Sequence, residues 1–408
     1  MVQTADGAVS EVVEVVIDRV ISGGLGLAWY EGRTVLVPYA AAGDRLLVQV
    51  APNRRRGVHH GAIVAILSAG PHRIEPICPL YGQCGGCQMQ HLSQAASLSI
   101  KRDFVVDALR RLARVPAAEA VSCVQPTQPG HTTTGYRQRC QLQLDWQEQQ
   151  PRIGFHASAS HQVVDVNHCA ALHPLLNQQL GPLRQWLTSQ PSPAATSSRI
   201  NLACGDSGVA MAPPILTSDP FCRYSLNGFK LSFQVGDFTQ VNFTDNQQLV
   251  NEVMALAGSG RQALDLFCGI GNFTLPLRQQ FDRVTGVELS PASVDRARRN
   301  VRHNGLGDIS IYRIDLFNPA GTARLTTDPV DCVVLDPPRE GALQVSRWLV
   351  DRGRIARVVY VSCNPATFAR DSAILTAGDF QLRSVQPIDL FPMTHHVELV
   401  ALFDRKSL

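Results

Sequence analysis

Ala263-Leu264-Asp265-Leu266-Phe267-Cys268-Gly269-Ile270-Gly271-Asn272 is the stretch that decides the fold. Its first half, residues 263–267, is apolar but for one carboxylate and reads as a buried strand. Two glycines follow, where the backbone can turn and come close to a ligand before a helix starts. Residues 283–288 form a second apolar run ending in Glu288, at the distance where an acid can hold ribose hydroxyls. A dinucleotide site needs a third glycine to seat a pyrophosphate. That glycine is missing, so the loop suits S-adenosylmethionine better, with other nucleotide-type ligands still open.

Working outward, strands are expected at 309–314, 332–335, 358–361 and 397–403, with helical stretches between most of them. One helix is expected over 272–281. Another is capped by Ser290-Pro291, runs to Asn304 and stops at Gly305. Alternating strands and helices give an α/β, Rossmann-like doubly wound sheet, mostly parallel. Asp315 ends the third strand, where it could contact the adenine or its amine.

Two later strand ends carry chemistry. Asp336-Pro337-Pro338-Arg339 follows the fourth strand. Enzymes that methylate exocyclic amines place an aromatic residue fourth in such a tetrad, to stack the base, and Arg339 disfavours that reaction. Val361-Ser362-Cys363-Asn364-Pro365 ends the next strand, with Asn364 and Pro365 suited to the N-cap and N1 positions of a helix. A cysteine just before a helix N-terminus is expected to favour the thiolate, although a buried inert cysteine fits the string alone equally well. Carbon methylation of uracil needs such a nucleophile. Thiolate addition at C6 makes C5 electron-rich, and a base must afterwards remove the C5 proton. Glu398, in His395-His396-Val397-Glu398, is the candidate base. Asp336 is the candidate for reading the uracil edge or positioning the cofactor.

The N-terminal half reads differently. Short strands at 12–17, 34–37, 46–50 and 62–67 are separated by glycine-rich turns, the pattern of a small five-strand barrel. Arg54-Arg55-Arg56, followed by His59-His60, is either a basic loop for nucleic-acid backbone or a solvated loop. Cys78, Cys84 and Cys87 fall within ten residues, with Cys169 a distant fourth. Closely spaced thiols with glycine-permitted turns suit an iron–sulfur cluster or a structural zinc. Residues 94–115 read as an amphipathic helix with Phe104, Val105, Ala108, Leu109 and Leu112 on one face and Lys101, Arg110, Arg111 and Arg114 on the other. The region from 121 to 235 is a mixed sheet domain, with strands at 140–146 and 153–156 and a loop at 190–198.

The bulk numbers fit this reading. At 408 residues two or three domains are expected. The start of the chain lacks a signal-peptide pattern, and no apolar run is long enough to span a bilayer. Eleven cysteines without a secretory signal imply a reducing, cytoplasmic setting. A net charge of +3 identifies no partner, although nearly all the positive charge is arginine, which suits phosphate.

Six strings in order resemble the RNA 5-methyluridine (uracil-C5) methyltransferase family: DFTQVN at 237–242, LDLFCGIGNFTLPL at 264–277, VELSPASVDRARRN at 287–300, LDPPREG at 335–341, VSCNP at 361–365 and FPMTHHVE at 391–398. The barrel looks like a TRAM domain, an RNA-binding module. The resemblance implies that Cys78, Cys84, Cys87 and Cys169 ligate a [4Fe–4S] cluster. The family branch with both features methylates a 23S rRNA uridine, the U1939-type site. By the same resemblance, Gln240, Phe267, Asn272, Glu288, Asp315 and Asp336 line the S-adenosylmethionine site, Cys363 is the nucleophile and Glu398 the base. The expected domains are a TRAM barrel over 1–70, a central iron–sulfur domain over 71–235, with helix 94–115 packing on the catalytic domain, and a methyltransferase domain over 236–408. The implied partner is 23S rRNA, with no membrane and no protein partner implied. The alternatives are a uracil-C5 methyltransferase acting on another rRNA site or on tRNA, a cytosine-C5 enzyme, and a non-catalytic RNA-binding assembly factor.

Overall fold

The computed structural model describes residues 11–50, 57–147, 150–190, 199–325, 328–352 and 355–406. The chain forms two compact units. One is Met1–Phe104 with Phe155–Val164 and Met393–His396; the other is Val105–Gly154, Asp165–Pro392 and Val397–Leu408.

In the first unit, β1 (Glu11–Ile21), β2 (Leu25–Tyr30), β3 (Arg33–Pro38), β4 (Arg45–Val50) and β5 (Val58–Ser68) close into a barrel in the order β1-β2-β3-β5-β4. Alternation dictates the core: Val13, Val15 and Ile17 point inward while Val12 and Val16 face out. Closure demands a glycine at Gly61, where a Cβ would lie 2.2 Å from Val48 Cγ1. Strand β2 carries Gly26, and the sequence reading took that glycine as punctuation. It is instead a close-packing position, with a Cβ there only 2.7 Å from Ala40. The arginine run 54–56 lies outside the described residues.

Buried Asp44 fastens the chain leaving the barrel. It accepts from the Ala41 N–H at 2.6 Å, the Gly70 N–H at 2.8 Å and Arg73 Nη2 at 2.6 Å. Burial works against its charge, but Arg73 and the two N–H groups outweigh it and hold the carboxyl below its usual range. In the cysteine-bearing segment that follows, the Gly85 N–H donates to His156 O at 2.9 Å. Met393 O accepts from the Gln88 and Met89 N–H groups.

Helix α1 (Gln94–Leu112) stops short of the expected residue 115. Lys101, expected on its polar face, is fully buried, while Leu112 is exposed. Its second half belongs to the other unit, where Val105, Val106 and Leu109 join the core of the large sheet.

That unit continues through α2 (Ala117–Cys123), β6 (Arg139–Gln147), β7 (Gln150–His156), β8 (Val163–Asp165), α3 (Pro174–Ser189), β9 (Arg199–Gly205), β10 (Gly208–Ala212), β11 (Phe221–Leu226) and β12 (Phe229–Gln234). Then α4 (Phe243–Ala257) leads into the alternating region: β13 (Gly260–Leu266), α5 (Thr274–Leu277), β14 (Phe281–Glu288), α6 (Pro291–His303), β15 (Ile309–Arg313), α7 (Pro319–Thr322), β16 (Val330–Leu335), α8 (Leu343–Asp351), β17 (Ile355–Ser362), α9 (Pro365–Ala377), β18 (Phe380–Ile388) and β19 (Glu398–Arg405). Seven strands form one sheet in the order β15-β14-β13-β16-β17-β19-β18. Of these seven strands β19 alone runs opposite to the rest, pairing antiparallel with β17 and β18. Successive strands step away from β13 to one side and then, from β16, to the other, so the switch point lies between β13 and β16.

Local chemistry explains the agreements and the misses. Ser290 caps α6 by accepting the Ser293 N–H, and Gly305 takes positive φ just past its end. The helix expected over 272–281 shrinks to the single turn α5, because β14 already begins at Phe281. Strand β18 escaped prediction because Gln381 and Arg383 interrupt its apolar positions, facing out while Phe380, Leu382 and Val385 are buried. Among the described residues no helix is long and apolar enough to cross a membrane.

Candidate active site

The sheet lines up the expected site residues along one edge. Phe267 follows the end of β13, Glu288 ends β14, Asp315 lies two residues past β15, Asp336 follows β16 and Cys363 follows β17. All these strands are parallel, so their carboxyl ends share one side. Glu398 opens β19, which is antiparallel, and its amino end therefore reaches the same edge.

The cofactor side is built around glycines and acids. Phe267, Gly269 and Gly271 all take positive φ, and beyond Gly269 lies open space where a side chain would otherwise sit. Glu288 folds its carboxylate back, accepting from Gly269 N–H at 3.1 Å, Leu289 N–H at 2.8 Å and Ser290 N–H at 2.7 Å. Asp315 similarly braces its own turn, accepting from Phe317 N–H at 2.9 Å and Asn318 Nδ2 at 2.6 Å. Asn272 exchanges amide hydrogen bonds with Asn246 of α4, at 2.8 and 3.1 Å. Gln240 is buried in the segment 237–242, which Arg139 Nη1 ties down through Asp237 O at 3.0 Å and Thr239 O at 2.9 Å.

Asp265 is fully buried. Thr274 Oγ1 donates to its Oδ2, and Oδ1 has no partner. Burial pushes its carboxyl up to about 7, with Asp336 and Glu288 adding like charge. Asp336 is also pushed up to about 7, by burial. An orphaned carboxylate oxygen, further acids and an open glycine turn gather at this edge, and their chemistry favours positive charge. A ligand carrying an ammonium and a sulfonium fits that chemistry.

At the other end of the row, burial pushes the Cys363 thiol up to about 12, and Glu398 and Asp336 reinforce the shift against the opposing charge of Arg339. The expected thiolate is therefore disfavoured in the unliganded site. The α9 N-terminus is present as predicted, with Asn364 as N-cap and Pro365 in the first turn, but two carboxyl groups and desolvation outweigh it. Glu398 is buried, and its carboxyl is raised well above the ordinary range by burial and then by Asp336, against Arg339.

Several residues at the edge escaped the sequence reading. Phe317 and Leu289 are exposed beside Asp315 and Glu288, and the Phe317 ring lies 5.6 Å from that of Phe267. Phe238, two residues before Gln240, is 67% exposed, with the Arg139 guanidinium 5.7 Å from its ring centre. An apolar residue one or two positions from a polar site residue is the available signal. An open cleft of about 770 Å³, lined by His131, Tyr224, Phe243 and Gln247, lies beside α4 and contains none of the expected site residues.

Cys78, Cys84 and Cys87 lie in the first unit and Cys169 in the second; all four are half-buried thiols, unlike the buried Cys204, Cys222 and Cys332. Gly86 N–H donates to Cys84 Sγ at 3.4 Å, the type of bond that stabilises a ligating sulfur. Among the described residues no group of three or more His, Cys, Asp or Glu side chains is gathered to hold a metal ion.

The profile of the tRNA (Uracil-5-)-methyltransferase family matches residues 225–406. Over its whole length the chain is similar to the 23S rRNA (uracil(1939)-C(5))-methyltransferase RlmD of Aeromonas hydrophila, at 32% identity covering 97% of this chain and 96% of that one. The enzyme of the same name from Methylococcus capsulatus is 33% identical, covering 95% and 96%. Among solved structures, the Pyrococcus abyssi tRNA (uracil-54, C5)-methyltransferase in complex with S-adenosyl-L-homocysteine shares the fold, with a TM-score of 0.73 at 22% identity over 96% of this chain and 100% of that one. Near-full-length identity above 30% to these enzymes makes the chain a member of the RNA (uracil-C5)-methyltransferase family.

Proposed function

We propose that the protein methylates C5 of one uridine in 23S rRNA, the U1939-type site, with Cys363 as nucleophile and Glu398 as base. The observation that carries this reading is the register of β17 and β19, in which Ser362 pairs with Leu399. One step further along each strand stand Cys363 and Glu398, a thiol and a carboxyl group beside one another at the open edge.

S-adenosylmethionine, when bound, supplies a methyl group on a positively charged sulfur. Gln240, Phe267, Asn272, Glu288, Asp315 and Asp336 hold it, with Asp265 and Asp336 offering negative charge to its cationic groups. Phe238 presents an open ring face on which an extruded base can stack.

Cys363 and Glu398 first lose their protons to solvent, and the Cys363 sulfur bonds to C6 of the uracil. The C5=C6 π pair moves toward O4, and C5 then takes the methyl group. Glu398 accepts the C5 proton, and the released pair restores the double bond as the C6–S bond breaks. The departing thiolate takes a proton from water and Glu398 keeps the one from C5, so thiol and base return to their starting states with one proton released overall. Asp336 positions the ring or the cofactor for this exchange.

The reading also assigns RNA binding to the barrel of residues 1–70 and catalysis to residues 236–408, in a cytoplasmic enzyme. Cys78, Cys84, Cys87 and Cys169 are the proposed ligands of a [4Fe–4S] cluster in the central region 71–235. Their thiol chemistry and the N–H bond at Cys84 support the donor set. Uracil methylation moves no net electrons, so the cluster's part is structural or RNA-positioning. Anaerobic reconstitution should give a brown protein with about four irons per chain, and a colourless zinc protein would count against it.

The deciding experiment is incubation with unmodified 23S rRNA and labelled cofactor, followed by mapping of the methyl group. Label at C5 of a single uridine is expected. Label on cytosine or on an exocyclic amine, or none in a protein that binds both partners, would remove the proposal.

A further inference from the structure

Behind the glycine turn, two side-chain amides are locked to one another. Asn246, near the start of α4, donates from Nδ2 to Asn272 Oδ1 at 2.8 Å, and Asn272 Nδ2 donates back to Asn246 Oδ1 at 3.1 Å. The pairing is reciprocal. Turning over either amide alone would set N–H against N–H and oxygen against oxygen. The orientation of one amide therefore fixes that of the other.

The two partners are held very differently. Asn246 is fully buried on a braced helix start. Its backbone N–H donates to Asn242 O at 2.9 Å, and Asn242 Oδ1 caps α4 by accepting the Asp245 N–H at 3.1 Å. Phe243 N–H donates to Gln138 Oε1 at 2.7 Å, and Asp245 Oδ1 accepts the His131 N–H at 2.9 Å. Asn272 is only half-buried, between the positive-φ Gly271 and the single turn α5. The braced partner is thus the one behind, and the partner at the glycine turn takes its orientation from it.

The neighbours of Asn246 sharpen the point. Residues 246, 249, 250 and 253 recur at helical spacing, and Leu249, Val250 and Val253 are all fully buried. Ile270 and Phe273, which flank Asn272 in sequence, lie in the same core cluster as those three. An amide on such a stripe costs free energy unless both its halves are paired, and Asn272 pairs both. On Asn272 the pair uses one N–H and one lone pair of the oxygen, which leaves one donor and one acceptor for a ligand.

We infer that Asn246 is a positioning residue for the cofactor site: through the reciprocal pair it sets which edge of the Asn272 amide faces S-adenosylmethionine. The inference rests on Asn272 lining that site. It explains why a polar side chain occupies a stripe of α4 whose other members are aliphatic. It also gives the braced start of α4 a part in cofactor binding, since the residues that fix the helix fix Asn246 with it.

The test is a double-mutant cycle on the full-length protein, read by titration calorimetry with S-adenosylhomocysteine and no RNA. Asn246→Leu removes both bonds without opening a cavity. It should weaken binding by about three- to tenfold, the worth of one or two hydrogen bonds. Asn272→Ala should weaken binding at least as much. The double variant should bind no worse than Asn272→Ala alone, because the effect of Asn246 passes through Asn272. In turnover the loss should appear in KM for S-adenosylmethionine with kcat nearly unchanged. If Asn246→Leu does not fold, Asn246→Ser takes its place in the same cycle.

The outcomes separate cleanly. If Asn272→Ala binds as wild type does, the placement of Asn272 in the cofactor site fails and this inference with it. If Asn272→Ala weakens binding while the folded variant at 246 does not, the role of Asn246 is overturned and the site stands. If the variant at 246 weakens binding equally with and without Asn272, its effect comes from packing of α4, and the inference is likewise overturned.

Discussion

Glu398 stands one register step beyond the Ser362–Leu399 pair, beside Cys363, and its charge adds to burial in making the thiol harder to ionise. That suppression bears on the chemistry proposed for the thiol. A free thiolate in an RNA-binding pocket would react with oxidants and stray electrophiles. Here burial and neighbouring acids favour the protonated thiol and the protonated carboxyl group in the unliganded site.

Glu398→Gln should lower turnover by about 10²- to 10⁴-fold, the usual worth of a positioned base. It should also trap a covalent RNA adduct stable to denaturant, seen as a shifted band on a gel. Cys363→Ala should show neither methyl transfer nor adduct while binding the cofactor normally.

Asp336 is pushed up to about 7, so a cationic ligand must compete with its proton below that pH. Binding of S-adenosylmethionine should therefore tighten as pH rises from 6 to 8, by up to about tenfold. S-adenosylhomocysteine lacks the sulfonium charge and should show a shallower slope. Calorimetry at several pH values checks both, and identical slopes would show that Asp336 does not answer the sulfur's charge.

Asp44 is buried, and its carboxyl is held below the ordinary range by Arg73 and two backbone N–H groups. Its stabilising contribution is present above the unfolded-state value and is lost as pH falls through the folded one. Asp44→Asn should cost about 3 kcal/mol of stability near neutrality, because Arg73 loses its buried partner. The penalty should shrink in acid, and denaturant melts at pH 3 and pH 7 give the comparison.

Gly341→Ala meets both a positive φ and two polar atoms within 2.7 Å. A cost of about 1–3 kcal/mol is expected from strain and overpacking. Turnover should fall more than cofactor affinity, because the displaced loop is bonded to the first turn of α9, directly after Cys363. An unchanged turnover number would mean that the loop's placement is not critical.

Much of this was legible in the chain itself. The run from Ala263 to Asn272 announced a strand, a glycine turn and a nucleotide-type pocket, because burial and backbone freedom both leave marks on residue type. Ser290 and Asn364 were readable as caps for the same reason. The Cys363 ionisation was not, since it depends on residues from β16 and β19 that meet the cysteine only in the folded sheet. Lys101 was misplaced on a polar face because helical periodicity describes one helix and says nothing of what packs on its far side. Strand β2 was hidden by Gly26, whose role is contact rather than turning.

The antiparallel insertion of β19 between β17 and β18 has a consequence in time. All other strands of the sheet are synthesised first, and the carboxyl group beside the thiol arrives with the last one. Under the roles proposed for Cys363 and Glu398, a nascent chain still lacking that strand has no acceptor for the ring proton. An incomplete enzyme that met its RNA would then hold on to it covalently without letting go. Tethering the final strand to the strand before it ties release chemistry to completed folding.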